Sequence, residues 1–283
     1  MKIFLFLNSV FVFLSAFTYA NHYDPNQAEI SVWLSGAAYC GKDNYSKMSL
    51  TGKATGFIVD AVLHDSKTDL QGFTGVLPSE ETIYAVYRGS SSVLNWIDDM
   101  DIIKTKYLTY PECGCSVHKG FYNAATHLKN ATISSIHKLY KKYNYKKIIV
   151  TGHSLGAAIA QLIGMELHAY GLPNQIYNFG QPRIGDNKYA GFVNTVTEDL
   201  WRFTHNKDPV PHVPPEAFGF LHSCVEVFED STGKLKTCSN VNCEDHSCAD
   251  QFSFNRKDVS DHNTYLGHPV SCDESVVGDL HRR

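Results

Sequence analysis

The residues with the clearest capacity for chemistry are Gly152-His153-Ser154-Leu155-Gly156. They follow the β-branched run Ile148-Ile149-Val150 and precede an apolar, Ala-rich stretch from Leu155 to Tyr170, so a strand is expected to turn sharply into a helix at Ser154. Such a turn holds a serine at a strained backbone position, and glycines two residues to either side leave room where side chains would collide. The helix N-terminus beyond presents backbone N–H groups to a developing oxyanion. By composition the five-residue pattern arises by accident in about one chain in ten, so its weight comes from the strand before it and the helix after it. The chemistry is nucleophilic attack by the Ser154 hydroxyl. A tight structural turn is the bland alternative.

A serine hydroxyl is a poor nucleophile until a base takes its proton, and that base needs an acid to orient it. Behind a strand–turn–helix nucleophile both partners come later in the chain, acid before histidine, each on a loop after a strand. Asp208 follows the run Leu200–Thr204 and is stiffened by Pro209 and Pro211, with Asp186 and Asp230 as weaker rivals. The histidines beyond it are His212, His222, His246, His262, His268 and His281. Spacing puts His262 first but leaves His222 and His268 open.

These groups need a frame. Asp24-Pro25-Asn26 can cap a helix from Gln27 to Tyr39, and Phe57, Val59, Ala61 and Leu63 alternate as in a strand. Thr82–Tyr87 is a continuous β-prone run of the kind buried on both faces. From Tyr122 to Tyr143 apolar residues recur at helical spacing and end in lysines, and Gln175–Phe179 and Leu200–Thr204 read as further strands. A hairpin is expected over residues 225–237. Strands alternating with helices imply an α/β fold with a mostly parallel central sheet flanked by helices, and ligands near the strand C-terminal ends. No repeat or linker divides the chain, so residues 21–283 are expected to form one domain.

Composition bounds the rest. Of 283 residues 43% are hydrophobic and 19% charged, which excludes a disordered, collagen-like or coiled-coil chain. A net charge of −4 gives no reason to expect a nucleic-acid partner. Residues 1–20 hold a single charge, Lys2, and end on Thr18-Tyr19-Ala20, as a secretory signal peptide does. Their apolar run is too short and interrupted for a transmembrane anchor. In a secreted chain the eight cysteines should pair. Cys238, Cys243, His246 and Cys248 crowd together but lack the paired-cysteine knuckles of structural zinc sites, so no metal is expected. Asn44-Tyr45-Ser46 and Asn130-Ala131-Thr132 are candidate glycosylation sequons.

Together the motifs resemble one family, the class 3 (fungal lipase-like) lipases, which include secreted triacylglycerol lipases of filamentous fungi. The resemblance is carried by Tyr87-Arg88-Gly89-Ser90 leading into Asn95-Trp96-Ile97, by Val117–Phe121, by Thr151–Ala157, by Phe179–Gly185, by Asp208–Pro211 and by Asp261–Tyr265. It covers nearly all of residues 21–283 in order. It implies an α/β-hydrolase-type fold and a Ser154–Asp208–His262 triad, which picks one histidine out of the open set. It further implies an oxyanion hole made by Ser90 and the N–H of Leu155, and no cofactor. Ser91–Asp98 corresponds to the family's lid, in which Val93, Leu94 and Ile97 can share one helical face with Trp96 beside it. The resemblance implies Cys40–Cys272 and Cys238–Cys248 bridges; Cys224 and Cys243 are then left to each other, and Cys113 with Cys115 matches the family's nearby bridge less closely. The implied activity is hydrolysis of acylglycerol esters by a monomer at an oil–water or membrane interface. Phospholipid or feruloyl ester hydrolysis, or silent lipid binding on the same fold, are the alternatives.

Overall fold

The computed structural model describes residues 22–197, 199–239, 243–255 and 259–277. The expected signal peptide and His281 lie outside them. Asp24 caps the first helix, α1 (Pro25–Ala37), accepting from the N–H groups of Asn26 and Gln27, with Pro25 in the first turn where a missing N–H costs nothing. The helix therefore starts two residues before the expected Gln27 and gives way to a short 3-10 turn over Ala38–Cys40.

Three antiparallel strands follow: β1 (Ile58–Asp65), β2 (Leu70–Leu77) and β3 (Thr82–Tyr87). The patterning does not signal β2. Gly72 and Gly75 dilute its β-propensity, and it is a strand because it is buried along its whole length between two partners. A six-residue helix, α2 (Val93–Asp98), and a small ribbon of β4 (Lys104–Lys106) and β5 (Ser116–His118) lead into α3 (Lys119–Tyr143). Then β6 (Lys147–His153), α4 (Leu155–Ala169), β7 (Gln175–Phe179) and β8 (Leu200–His205) follow as expected, with a helix that the sequence reading did not mark, α5 (Asn187–Val196), between β7 and β8. The expected hairpin is β9 (Glu226–Glu229) with β10 (Leu235–Thr237).

Among the described residues, eight strands form one sheet in the order β1-β2-β3-β6-β7-β8-β9-β10, parallel from β3 to β9. Apolar packing lies on both faces. One core joins the sheet to α3 and α4 through residues such as Leu128, Ile136, Ile159 and Ile163; the other joins it to α1 through Ile30, Leu34, Phe179 and Phe203. Small residues at 157, 158 and 160 let α4 lie close on the sheet. Four disulfides link Cys40 to Cys272, Cys113 to Cys115, Cys224 to Cys243 and Cys238 to Cys248. Cys113 and Cys115, the least closely matched pair, are thus joined across Gly114. Of the sequon residues, Asn130 is exposed on α3, whereas the amide of Asn44 donates to the Cys40 carbonyl at 2.7 Å.

Candidate active site

The parallel strands bring their C-terminal ends to one edge, where three loops meet. Ser154 stands between β6 and α4 at φ 59°, ψ −128°, a backbone conformation that L-residues rarely adopt. It is held there by its own N–H, which donates to the Phe179 carbonyl at 3.0 Å. The glycines of the motif explain the close fit: a Cβ at Gly152 would lie 2.4 Å from the Gly156 carbonyl, and one at Gly156 would lie 2.2 Å from the Tyr87 carbonyl. Both contacts are far inside van der Waals range.

Asp208 sits just past β8 and is buried. Its Oδ1 accepts from the Val210 N–H at 2.8 Å, and its Oδ2 accepts from His262 Nδ1 at 2.7 Å and from the Tyr265 hydroxyl. Burial pushes the carboxyl up, yet His262, the Tyr265 hydroxyl and the Val210 N–H together hold it below the usual carboxylate range. Asp208 is therefore a charged acceptor at neutral pH. With Nδ1–H directed at the carboxylate, His262 Nε2 is left as the basic nitrogen. Nε2 and Ser154 Oγ are both buried, and neither has a hydrogen-bond partner among the described residues. These are the two atoms that a proton transfer would join.

The loop that carries His262 is pinned to the loop that carries Asp208. Asp261 Oδ2 accepts from Asn206 Nδ2 at 3.0 Å and from the Lys207 N–H at 3.1 Å, and its carbonyl accepts from His205 Nδ1 at 2.8 Å. Arg183 braces the far side of the acid loop, donating to the carbonyls of His212 and Pro214 while its guanidinium is paired with Glu244.

The rival candidates have other occupations. Asp186 caps α5 through the Tyr189 N–H, and Asp230 closes the hairpin turn through the N–H groups of Thr232 and Lys234. His222 is buried against the Pro211 carbonyl, His212 lies beside Asp250, His246 is exposed and paired with Asp250, and His268 faces Glu29.

The turn after β3 abuts the elbow: a Cβ at Gly89 would lie 3.0 Å from the Ser154 Cβ. Ser90 follows it, and Leu155 opens α4, so its N–H belongs to the first turn and has no carbonyl partner within the helix. Beside Leu155 lies a cavity of about 420 Å³, walled by Leu70, Trp96, Met100, Phe121, Ala124 and Leu155. Its apolar lining suits a hydrocarbon chain. In α2 the residue turned inward is Trp96, which stacks on Phe121 with ring centroids 6.0 Å apart; Leu94, expected on the same apolar face as Val93 and Ile97, is 42% exposed. At 3.6 residues per turn Leu94 lies about 160° around the helix from Trp96, so turning Trp96 inward sends Leu94 outward.

Sequence reasoning gave no role to Tyr265, Asp261, Arg183, Tyr39 or His153. All of them act through contacts between segments far apart in the chain, and no local spacing announces such contacts.

Residues 84–218 match the family model described as lipase (class 3). The chain is 37% identical over 196 residues to a lipase of Rhizomucor miehei, a match spanning 67% of this chain and 53% of that protein, so only about half of the relative's length is represented. It is 29% identical over 270 residues to a secreted mono- and diacylglycerol lipase of Fusarium solani, spanning 90% of this chain and 76% of the other. The solved structure of Rhizomucor miehei triacylglyceride lipase superposes with a TM-score of 0.80 at 30% identity, over 87% of this chain and 96% of that one. A further solved structure, of a triacylglycerol lipase described as having a serine protease triad at its catalytic centre, gives 0.79 at 30% identity, over 87% and 96%. With the α/β-hydrolase sheet and the elbow serine already in view, the likeness along nearly the whole described chain means that the protein belongs to the class 3 lipases.

Proposed function

We propose that the protein is a secreted serine ester hydrolase acting on acylglycerols, triacylglycerol first among them, through Ser154, His262 and Asp208. The observation that carries this reading is a buried carboxylate holding His262 by Nδ1, with its Nε2 and the hydroxyl of the elbow serine both left without partners among the described residues. Ser154 Oγ attacks the ester carbonyl carbon while His262 Nε2 takes its proton. The carbonyl oxygen becomes an oxyanion facing the N–H groups of Leu155 and Ser90. Collapse expels the alcohol, protonated by His262, and leaves an acyl group on Ser154. Water, deprotonated by His262, then releases the fatty acid and restores the serine.

Access requires movement. Ser154 and His262 are both 0% exposed, so Ser91–Asp98 acts as a lid whose Trp96 must leave Phe121 before an acyl chain can enter the cavity. That motion would turn apolar side chains toward a lipid surface. Two further features fit a secreted enzyme: four disulfides, and relatives named as secreted lipases. No helix among the described residues is long and apolar enough to cross a membrane.

A fluorophosphonate probe tests the chemistry: Ser154 should be labelled in the folded wild type and not in Ser154→Ala. No label on folded wild type would remove the enzyme reading. Initial rates on emulsified long-chain triacylglycerol and diacylglycerol, against phosphatidylcholine vesicles, test the substrate. A preference for the phospholipid would overturn the acylglycerol assignment.

A further inference from the structure

The residue before the nucleophile is bound on both ring nitrogens. His153 Nε2 lies 2.8 Å from the carbonyl oxygen of His262, and its Nδ1 lies 2.6 Å from the Tyr39 hydroxyl. A carbonyl can only accept, so Nε2 carries the hydrogen and Nδ1 takes one from Tyr39. The rings of His153 and His262 are in contact, their centroids 4.2 Å apart and their planes tilted by 39°. Tyr39 reaches a third loop as well: a Cβ at Gly89 would lie 2.3 Å from the Tyr39 hydroxyl and 2.7 Å from the His153 carbonyl. One phenol and one imidazole thus touch the turn before Ser90, the elbow at Ser154 and the backbone of His262.

We infer that Tyr39 and His153 are positioning residues that fix the His262 ring and the oxyanion turn relative to Ser154. The inference rests on the triad reading above, because only a reacting Ser154–His262 pair makes this placement matter for rate.

Two properties suit the pair to the task. The first is charge. Burial, and then the neighbouring His262, push His153 well below the usual imidazole range. His153 therefore stays neutral, and its Nε2–H keeps donating to the carbonyl while His262 gains and loses its proton. The second is rigidity. Burial pushes the Tyr39 phenol up, so it remains a donor at every working pH. Tyr39 also stands one residue before Cys40, which is bonded to Cys272. The phenol thus hangs from a cross-linked point of the backbone rather than from a free helix end.

Placement without substrate contact has a kinetic signature: kcat falls while KM holds. Tyr39→Phe keeps the ring and loses the hydroxyl, and should lower kcat about tenfold with KM close to wild type, the fold losing no more than one buried hydrogen bond. His153→Gln retains an Nε2–H donor that can reach the His262 carbonyl, and should keep more activity than His153→Ala. Tyr39→Phe should cost less in the His153→Ala background than in wild type, because its route to His262 is already cut and only its contact with the oxyanion turn remains.

Three results would overturn the inference. They are a Tyr39→Phe enzyme with kcat within twofold of wild type, a loss of kcat/KM carried mainly by KM, or additive losses in the double variant. Fluorophosphonate labelling of the wild type separates these from a failure of the triad reading. If wild type is labelled and Tyr39→Phe reacts equally fast, the positioning role fails and the triad stands.

Discussion

The phenol of Tyr265 donates to Asp208 at Oδ2, the oxygen that also receives His262 Nδ1. One carboxylate oxygen thus holds two donors that approach from the same segment, three residues apart. Tyr265→Phe would keep the ring contacts with Phe179 and His205 and delete only the hydroxyl. A hydrogen bond to a buried charged group contributes about 1.5–3 kcal/mol, so chemical denaturation should show a loss of that order. With the carboxylate less fixed, kcat should drop about tenfold while Ser154 still accepts the fluorophosphonate. A variant with wild-type kcat and stability would mean that His262 and the Val210 N–H suffice to hold Asp208.

The elbow has no slack on either side of Ser154. Gly152→Ala and Gly156→Ala each drive a methyl group into a backbone carbonyl, at 2.4 Å and 2.2 Å, where no rotamer change gives relief. Each should cost about 3 kcal/mol or more and abolish labelling of Ser154 in whatever protein folds. Gly191, in α5, is the control: nothing lies within 4 Å of the place its added methyl would take, and alanine is the better helix former. Gly191→Ala should therefore be neutral or stabilising by up to about 1 kcal/mol. Thermal melts of the three variants decide the matter, and equal behaviour of all three would refute the steric account.

The contrast between Ser154 and His262 explains how far a sequence can be read. Ser154 is legible because an elbow is a local object: strand, glycines, serine and helix are all written within about twenty residues. Asp208 is nearly so, since it follows a recognisable strand and is stiffened by prolines. His262 is not, because its claim rests on contacts with Asp208 and His153, which lie 54 and 109 residues earlier. Spacing sets His262 only a little ahead of His222 and His268, and the family likeness is what singles it out. Tyr39 and His153 lie further still from legibility, being joined across 114 residues. In the fold the same division holds: periodic α3 and the buried run of β3 announce themselves, while β2 is hidden by two glycines and is a strand only through its neighbours.

Acid should weaken the brace behind the Asp208 loop. Glu244 accepts from Arg183 Nε at 3.0 Å, Arg183 Nη2 at 2.9 Å and the His222 N–H at 2.6 Å. Burial raises its carboxyl, but His222 and the Arg183 guanidinium outweigh burial and hold it down at about 2. A carboxyl held below its unfolded value stabilises the fold above that unfolded value and loses the contribution as pH falls toward the folded one. The window is therefore between about pH 4.5 and pH 2, and the contribution at neutral pH is about 3 kcal/mol. Urea denaturation of Glu244→Gln should show lower stability than wild type at pH 7 and a shallower decline below pH 4.5. Parallel curves for the two proteins across that window would show that Glu244 is not the titrating group.

The Cys40–Cys272 bridge should be felt at the active site as well as in stability. It closes a loop spanning 232 positions, the longest of the four, and cross-links of that length restrict the unfolded chain most. Removing it by Cys40→Ala with Cys272→Ala should cost about 3–5 kcal/mol, read as a lower denaturation midpoint. Tyr39 immediately precedes Cys40, so the phenol that holds His153 loses its anchor in the same step. Under conditions where the double variant is folded, kcat should fall toward the Tyr39→Phe value while KM stays near wild type. Removing Cys238 and Cys248 is the matched comparison: that bridge spans 10 positions and packs with Phe228 and Ala249, away from Tyr39. Its loss should lower stability and leave kcat largely intact. If both double variants lost kcat in equal measure, the link from the first disulfide through Tyr39 to His262 would be refuted, and the bridge would be a fastening of the chain ends and nothing more.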